Sequence, residues 1–155
     1  MNSVENQLFM FYQINNQAQY PEQLTAPMAQ ELTDAGYKSL KTAQEVEEIL
    51  DKTEGTTLLV VNSVCGCAAR NARPAAIMAA QNEKVPTNLV TVFAGVDGGA
   101  VQKAREFMLP YPASSPSMAL FKDGKLVHFI ERHNIEGRDA QSIAQNLKMA
   151  FEQYC

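Results

Sequence analysis

Along the chain, stretches whose apolar residues recur every three to four positions alternate with short runs of apolar and β-branched residues. These are the signatures of amphipathic helices and of strands buried on both faces. Pro21 to Ala35 carries Leu24, Met28 and Leu32 at helical spacing and stops at Gly36, which predicts a first helix. Tyr37 to Leu40 suits a short strand. Thr42, with Glu45 three residues on, forms a capping box that opens a helix through Val46, Ile49 and Leu50, ended by Gly55. Thr56 to Asn62 (TTLLVVN) predicts one buried strand and Asn88 to Ala94 (NLVTVFA) another. Between them, the Ala-rich stretch Ala68 to Gln81 predicts a helix interrupted by Pro74. Gly99 to Met108 predicts a further helix with Val101, Ala104, Arg105 and Met108 spaced along it. Ser117 to Phe121 and Lys125 to Ile130 predict a hairpin around Lys122-Asp123-Gly124. Gly137 to Tyr154 predicts a closing helix with Ile143, Leu147, Ala150 and Phe151 on one face.

A βαβ unit followed by a hairpin and a final helix predicts an α/β, thioredoxin-like plan, with a central mixed β-sheet flanked by helices. An N-terminal helical extension precedes it. The expected organisation is a leader over residues 1–20, of unassigned role, and a single domain over 21–155. Docking on the domain or self-association are the roles considered for the leader.

Composition narrows the function classes. Apolar residues make up 46% and charged residues 19% of 155 positions, ordinary for a globular chain and unlike a disordered one. A net charge of −4 gives no reason to expect nucleic acid or an anionic membrane as partner. No apolar run approaches the ~20 residues of a membrane span. The apolar patch Leu8-Phe9-Met10-Phe11-Tyr12 has no basic residue ahead of it and follows Glu5, a poor match to a signal peptide, so a cytoplasmic location is expected. Three cysteines, two of them nearly adjacent, do not make a structural disulfide framework. In a reducing compartment they point to reactivity or metal binding.

Cys65-Gly66-Cys67 lies where a buried strand ends and a helix begins. Free backbone N–H groups and the positive end of the helix dipole then favour a thiolate at Cys65. Lowering a cysteine pKa from ~8.5 to ~6.5 raises the thiolate fraction at pH 7 from ~3% to ~75%, offset in part by lower intrinsic nucleophilicity. Two residues of extended chain span ~6.6–7.2 Å, at the upper edge of the Cα–Cα range for a disulfide. Residues two apart in a helix point to nearly opposite sides. A bond between the two cysteines therefore predicts a bent, non-helical link supplied by Gly66. The roles that follow are nucleophile for Cys65 and resolving thiol for Cys67. Inert small apolar cysteines are one alternative. A zinc site is another, with Cys155, His128 and His133 the only further ligands and no recognisable spacing.

Ser115-Pro116-Ser117 stands at the start of the first hairpin strand, a place that suits a residue without N–H. By analogy with the thioredoxin plan, Pro116 is expected to be cis and to face the cysteines, with Ser115 and Pro116 contributing to substrate binding. Asn62 and Ser63 can hydrogen-bond first-turn amides or a bound thiol. Arg70 and Arg73 can bind the carboxylates of a small acidic thiol, or stand as solvated helix residues. Cys155 is either an inert terminal thiol or a third cysteine that resolves a mixed disulfide. His128, alternating with apolar neighbours, reads as structural.

The stretch VNSVCGCAARNARPA, followed by TVFAG, SSPSMAL and HFIERHNIEG, closely resembles the bacilliredoxins, small bacterial thioredoxin-like proteins with a Cys-Gly-Cys centre. The resemblance runs from about Gln23 to Cys155 and includes ELTDAGYKSL and EGTTLLVVNS. The leader to about Gln19 does not match it. The resemblance implies removal of the low-molecular-weight thiol bacillithiol from S-thiolated client proteins, with no bound cofactor and the thiol as co-substrate. In that scheme Cys65 attacks the mixed disulfide and carries the thiol away, and Cys67 or a second thiol resolves the adduct. Disulfide isomerisation is a related activity. A general isomerase or reductase and a non-catalytic redox sensor are the competing expectations.

Overall fold

The structure, a computed structural model, describes residues 3–7, 18–52 and 54–155. The apolar patch Leu8 to Tyr12 lies outside the described residues; residues 3–7 are helical and exposed. The core elements are α1 (Glu22–Thr33), β1 (Lys38–Ser39), α2 (Ala43–Leu50), β2 (Thr56–Asn62), α3 (Arg73–Ala79, entered through a π turn at Ala68–Ala72), β3 (Asn88–Phe93), α4 (Gly98–Phe107), β4 (Ser117–Lys122), β5 (Lys125–Ile130) and α5 (Ala140–Tyr154). A single turn of 3-10 helix, Arg132–Asn134, separates β5 from α5.

The five strands form one mixed sheet in the order β1-β3-β2-β4-β5. β3 runs parallel to both β1 and β2, while β4 and β5 are antiparallel to their neighbours. The fold is thus the expected thioredoxin-like plan. β2 is central and all seven of its residues are buried. Leu58 and Val60 point into a core with Leu32, Ala76, Leu147 and Phe151, beneath α1, α3 and α5. Leu59 and Val61 point into the opposite core with Val46, Val90, Val101 and Ala104, beneath α2 and α4. Each such aliphatic side chain contributes about 1.5–3 kcal/mol on full burial. The strand that carries Cys65 at its exit is accordingly anchored in both cores.

Local chemistry sets most boundaries. Thr42 Oγ1 accepts from the Glu45 amide at 3.2 Å, and its hydroxyl donates to the Glu45 carboxylate. The hairpin turn has Asp123 and Gly124 both at positive φ, 51° and 82°, the geometry that matches strand twist. α5 starts three residues later than its pattern predicts, because the Asp139 carboxylate accepts from the Ser142 amide at 2.7 Å and makes residue 139 the cap. In α1 the buried residues are Thr25 and Leu32, whereas Leu24 is exposed, so the helix packs on a face rotated from the predicted one. Pro74 lacks the N–H that would reach the carbonyl four residues back. The chain meets it by widening to the preceding π turn, in which the Arg73 amide bonds the Ala68 carbonyl.

Candidate redox site

β2 delivers the chain to Asn62 and Ser63, and the Cys65 carbonyl accepts from the Ala68 and Ala69 amides at 2.9 and 3.1 Å. Cys65 is therefore the N-cap of the helix that continues into α3. Its sulfur does what a capping oxygen does elsewhere, accepting from the Cys67 amide at 3.4 Å. The Cys65 amide in turn donates to Ser63 Oγ at 3.3 Å.

Cys65 and Cys67 are joined by a disulfide with Cα atoms 5.3 Å apart. Cys67 has helical dihedrals, φ −67° and ψ −28°, and Gly66 is not in the left-handed region. The bent, non-helical link predicted at Gly66 is thus corrected. The bond closes within the first helical turn, with Cys65 as the N-cap residue that flanks the helix. What Gly66 provides is space: a Cβ there would lie 3.1 Å from Arg70 Nη2, the far end of a flexible side chain. Gly66→Ala is therefore expected to shift stability by less than about 1 kcal/mol, since loss of glycine in a helical position is itself favourable. Thermal unfolding of the oxidised protein measures this, and a bent-link requirement would instead give a clear loss.

The two cysteines differ in access. Cys65 is partly exposed, whereas Cys67 is buried. A cavity of about 710 Å³ opens beside Cys65, and Ser63, Ser115 and Arg132 share its lining. The Ser115–Pro116 bond is cis and Pro116 is buried; Leu109–Pro110 is cis as well.

Asn62, Ser63 and Arg73 act beneath the loop. Asn62 is 1% exposed; its Oδ1 accepts from the Ser63 amide at 2.9 Å and from Arg73 Nη1 at 3.1 Å. Its Nδ2 donates to the Met28 carbonyl at 3.3 Å. Arg73 Nη1 also donates to the Ser63 carbonyl at 2.9 Å, and Nε lies 2.9 Å from the Glu31 carboxylate, off the line of its N–H. Arg73 is 3% exposed, so the sequence reading of a thiol-binding Arg73 is corrected: its guanidinium is committed to the loop backbone and Glu31. Asn62 is likewise sealed from a bound thiol. Arg70 is exposed and sits with Cys65, Gly66 and Cys67 in a second cleft, so that Cys65 borders both.

The residue that sequence reasoning missed is Arg132. Its Nη2 donates to Cys65 Sγ at 3.3 Å and its Nη1 to the Ser115 carbonyl at 3.2 Å, while its amide donates to Ser114 Oγ at 3.4 Å. Glu136 pairs with its Nε at 2.5 Å. One side chain thus ties the reactive sulfur to the loop before β4. Cys155 is exposed and unpaired, and His128 Nε2 lies 2.6 Å from Asn146 Oδ1 on the neighbouring helix. Among the described residues, no three metal-ligating side chains gather at one place.

A disulfide at the start of a helix, aligned with the end of a central parallel strand and beside a cis-proline loop, defines the site of a thiol–disulfide oxidoreductase on a thioredoxin scaffold. Solved thioredoxins share that scaffold. The Fasciola hepatica protein matches at TM-score 0.53 and 17% identity, covering 76% of this chain and 99% of its own. Thioredoxin O2 from Arabidopsis thaliana matches at TM-score 0.52 and 20% identity, covering 79% and 97%. Sequence relatives are far nearer. The bacilliredoxin of Cytophaga hutchinsonii is 57% identical over 86% of this chain and 98% of its own length. That of Bacillus licheniformis is 54% identical over 88% and 96%, and that of Halalkalibacterium halodurans 52% over 88% and 94%. The family described as disulphide isomerase covers residues 20–155. The chain belongs to this bacilliredoxin family. Among the described residues, no helix is long and apolar enough to cross a membrane.

Proposed function

We propose that this protein removes bacillithiol, or a similar low-molecular-weight thiol, from S-thiolated client proteins. The observation that carries the reading is the setting of Cys65 Sγ: it faces a cavity and receives both the Cys67 amide and the Arg132 guanidinium. Once the pair is reduced, these donors favour the thiolate over the thiol. The Cys65 thiolate attacks the thiol-derived sulfur of the client mixed disulfide. A Cys65–thiol disulfide forms, the bond to the client sulfur breaks, and the client cysteine leaves as a thiolate that takes up a proton. The Cys67 thiolate then attacks Cys65 Sγ, re-forming the intramolecular disulfide and releasing the small thiol. Two further equivalents of low-molecular-weight thiol supply the electrons that reduce the pair for the next turnover. The reading places the protein in a reducing compartment, with S-thiolated proteins and a free thiol pool as its partners.

The family's description as disulphide isomerase favours a second reading, in which Cys65 attacks a disulfide between two client cysteines. The test presents one client protein as its bacillithiol, glutathione and coenzyme A mixed disulfides, alongside the same client with an internal disulfide. Release of the small thiol faster than any rearrangement of the internal disulfide upholds dethiolation. The reverse order overturns it in favour of isomerisation.

A further inference from the structure

Two clefts flank the redox pair, and their charges differ. The one over Gly66 sets Arg70 and Arg138 against Glu136 and Asp139. Among the described residues, the cavity beside Cys65 has two charged lining residues, Arg105 and Arg132, in a chain whose net charge is −4. Arg132 is already engaged with Glu136, the Ser115 carbonyl and Cys65 Sγ. Arg105, in the last turn of α4, is not engaged. Among the described residues no carboxylate lies within ion-pair distance of it, and its Nε–H is sealed from solvent without an acceptor. Asp97, at the other end of α4, accepts from the Phe93 amide at 3.1 Å and lines a neighbouring cavity instead.

The cavity has the size of a small-molecule site, within the range of about 300–1,000 Å³. Its wall at the end of β3 is made by Tyr20, whose ring lies so close to Gly95 that a Cβ there would stand 2.6 Å away. The Gln19 amide fixes this contact by donating to the Gly95 carbonyl at 2.6 Å. Only glycine at position 95 permits that approach, and Gly95 also has a positive φ of 85°. The result is a walled pocket with a reactive sulfur in its lining and an unpartnered guanidinium as its free charge.

We infer that Arg105 anchors a carboxylate of the low-molecular-weight thiol whose sulfur is exchanged at Cys65, so that the substrate class is thiols bearing a free carboxylate. This rests on the proposed dethiolation and deepens it by assigning the recognition of the transferred thiol to one side chain. The guanidinium fork matches a carboxylate in a bidentate arrangement. An acidic side chain of the client next to its modified cysteine has the same chemistry; the cavity favours the thiol, because it adjoins the sulfur to which the thiol becomes bound.

The test uses protein with Cys67→Ser and Cys155→Ser, leaving Cys65 as the sole thiol. Formation of the Cys65 adduct is followed by mass spectrometry with glutathione disulfide and with the disulfide of glutathione diethyl ester, which lacks free carboxylates. Rates are normalised to 2-hydroxyethyl disulfide, a small neutral probe of Cys65 reactivity. The acid is expected to react about tenfold faster than the ester below saturation, the scale of a charge-assisted hydrogen bond. Arg105→Gln is expected to bring that ratio to within about twofold, and Arg105→Lys to keep part of it. A ratio near one before substitution, or a ratio that Arg105→Gln leaves intact, overturns the inference. So does an Arg105→Gln loss on a thiolated client that is equal for acid and ester, which would place the anion on the client. Because adduct formation needs no client, discrimination without client release would uphold the anchor while overturning dethiolation.

Discussion

Replacement of Cys65 by Ser is expected to lower thiol–disulfide exchange by about a thousandfold or more, because a serine hydroxyl is not ionised at neutral pH and is no substitute for a thiolate. Cys67→Ser is expected to keep the first step intact and to hold the small thiol on Cys65 until free thiol is supplied, whereas the parent releases it as the pair oxidises. The asymmetry follows from the site: Cys65 is the N-cap and lies open to the cavity, while Cys67 is buried beneath it. Quantifying released client thiol and released small thiol against enzyme, with and without added small thiol, separates the two roles. Full activity in Cys65→Ser with loss in Cys67→Ser would reverse the assignment of the nucleophile.

Arg132→Gln is the second large effect expected. Its guanidinium faces Cys65 Sγ at 3.3 Å, and a positive charge there favours the thiolate, so its removal raises the thiol's pKa. Arg132 is 44% exposed and shares its charge with Glu136, so solvent screening weakens this effect. The exchange rate at pH 7 should then fall by about three- to tenfold, and the pH–rate curve should move to higher pH. Above the raised pKa the variant and parent should converge, because both are then fully ionised and a more basic thiolate is intrinsically the better nucleophile. A uniform loss at every pH would assign Arg132 to the Ser115 loop instead of to the sulfur. Stopped-flow exchange from pH 5.5 to 9.5, with unfolding temperature measured in parallel, distinguishes these outcomes.

Arg132 also shows where sequence reasoning ran out. The hairpin was legible, and its two-residue turn pairs Lys122 with Lys125 and Phe121 with Leu126. Continued without interruption, that register would bring Glu131 opposite Pro116. A bulge between Leu120 and Phe121 shifts the pairing by one, so that Leu120 meets His128 and Met118 meets Ile130. Extended two residues further, the shifted register sets Arg132 against Pro116. A one-residue slip changes which side chain faces the site, and no residue type in the hairpin announces it. Arg105 was hidden differently: among the apolar positions of α4 it reads as one more helical residue, and only the cavity shows that its guanidinium lacks an acceptor.

Other features were legible because they depend on local chemistry. The β-branched and apolar run of β2, the Thr42 cap and the Asp123-Gly124 turn each follow from neighbouring residues, and they settle the sheet and the strand-to-helix exit at Cys65. The part played by Arg73 was not legible, since an arginine ten residues past Ser63 looks solvated until the fold buries it under the loop. The Gly66 link does not follow regular-helix geometry, because Cys65 is an N-cap residue that flanks the helix.

The most direct test traps the intermediate. A client protein carrying a bacillithiol or glutathione mixed disulfide is mixed with reduced Cys67→Ser protein, quenched with acid, and the cysteine-containing peptides are weighed. The small thiol attached to Cys65, with one equivalent of free client cysteine released, is the expected result. The client itself joined to Cys65, or the small thiol found on Cys155 with Cys65 unmodified, would contradict dethiolation at Cys65.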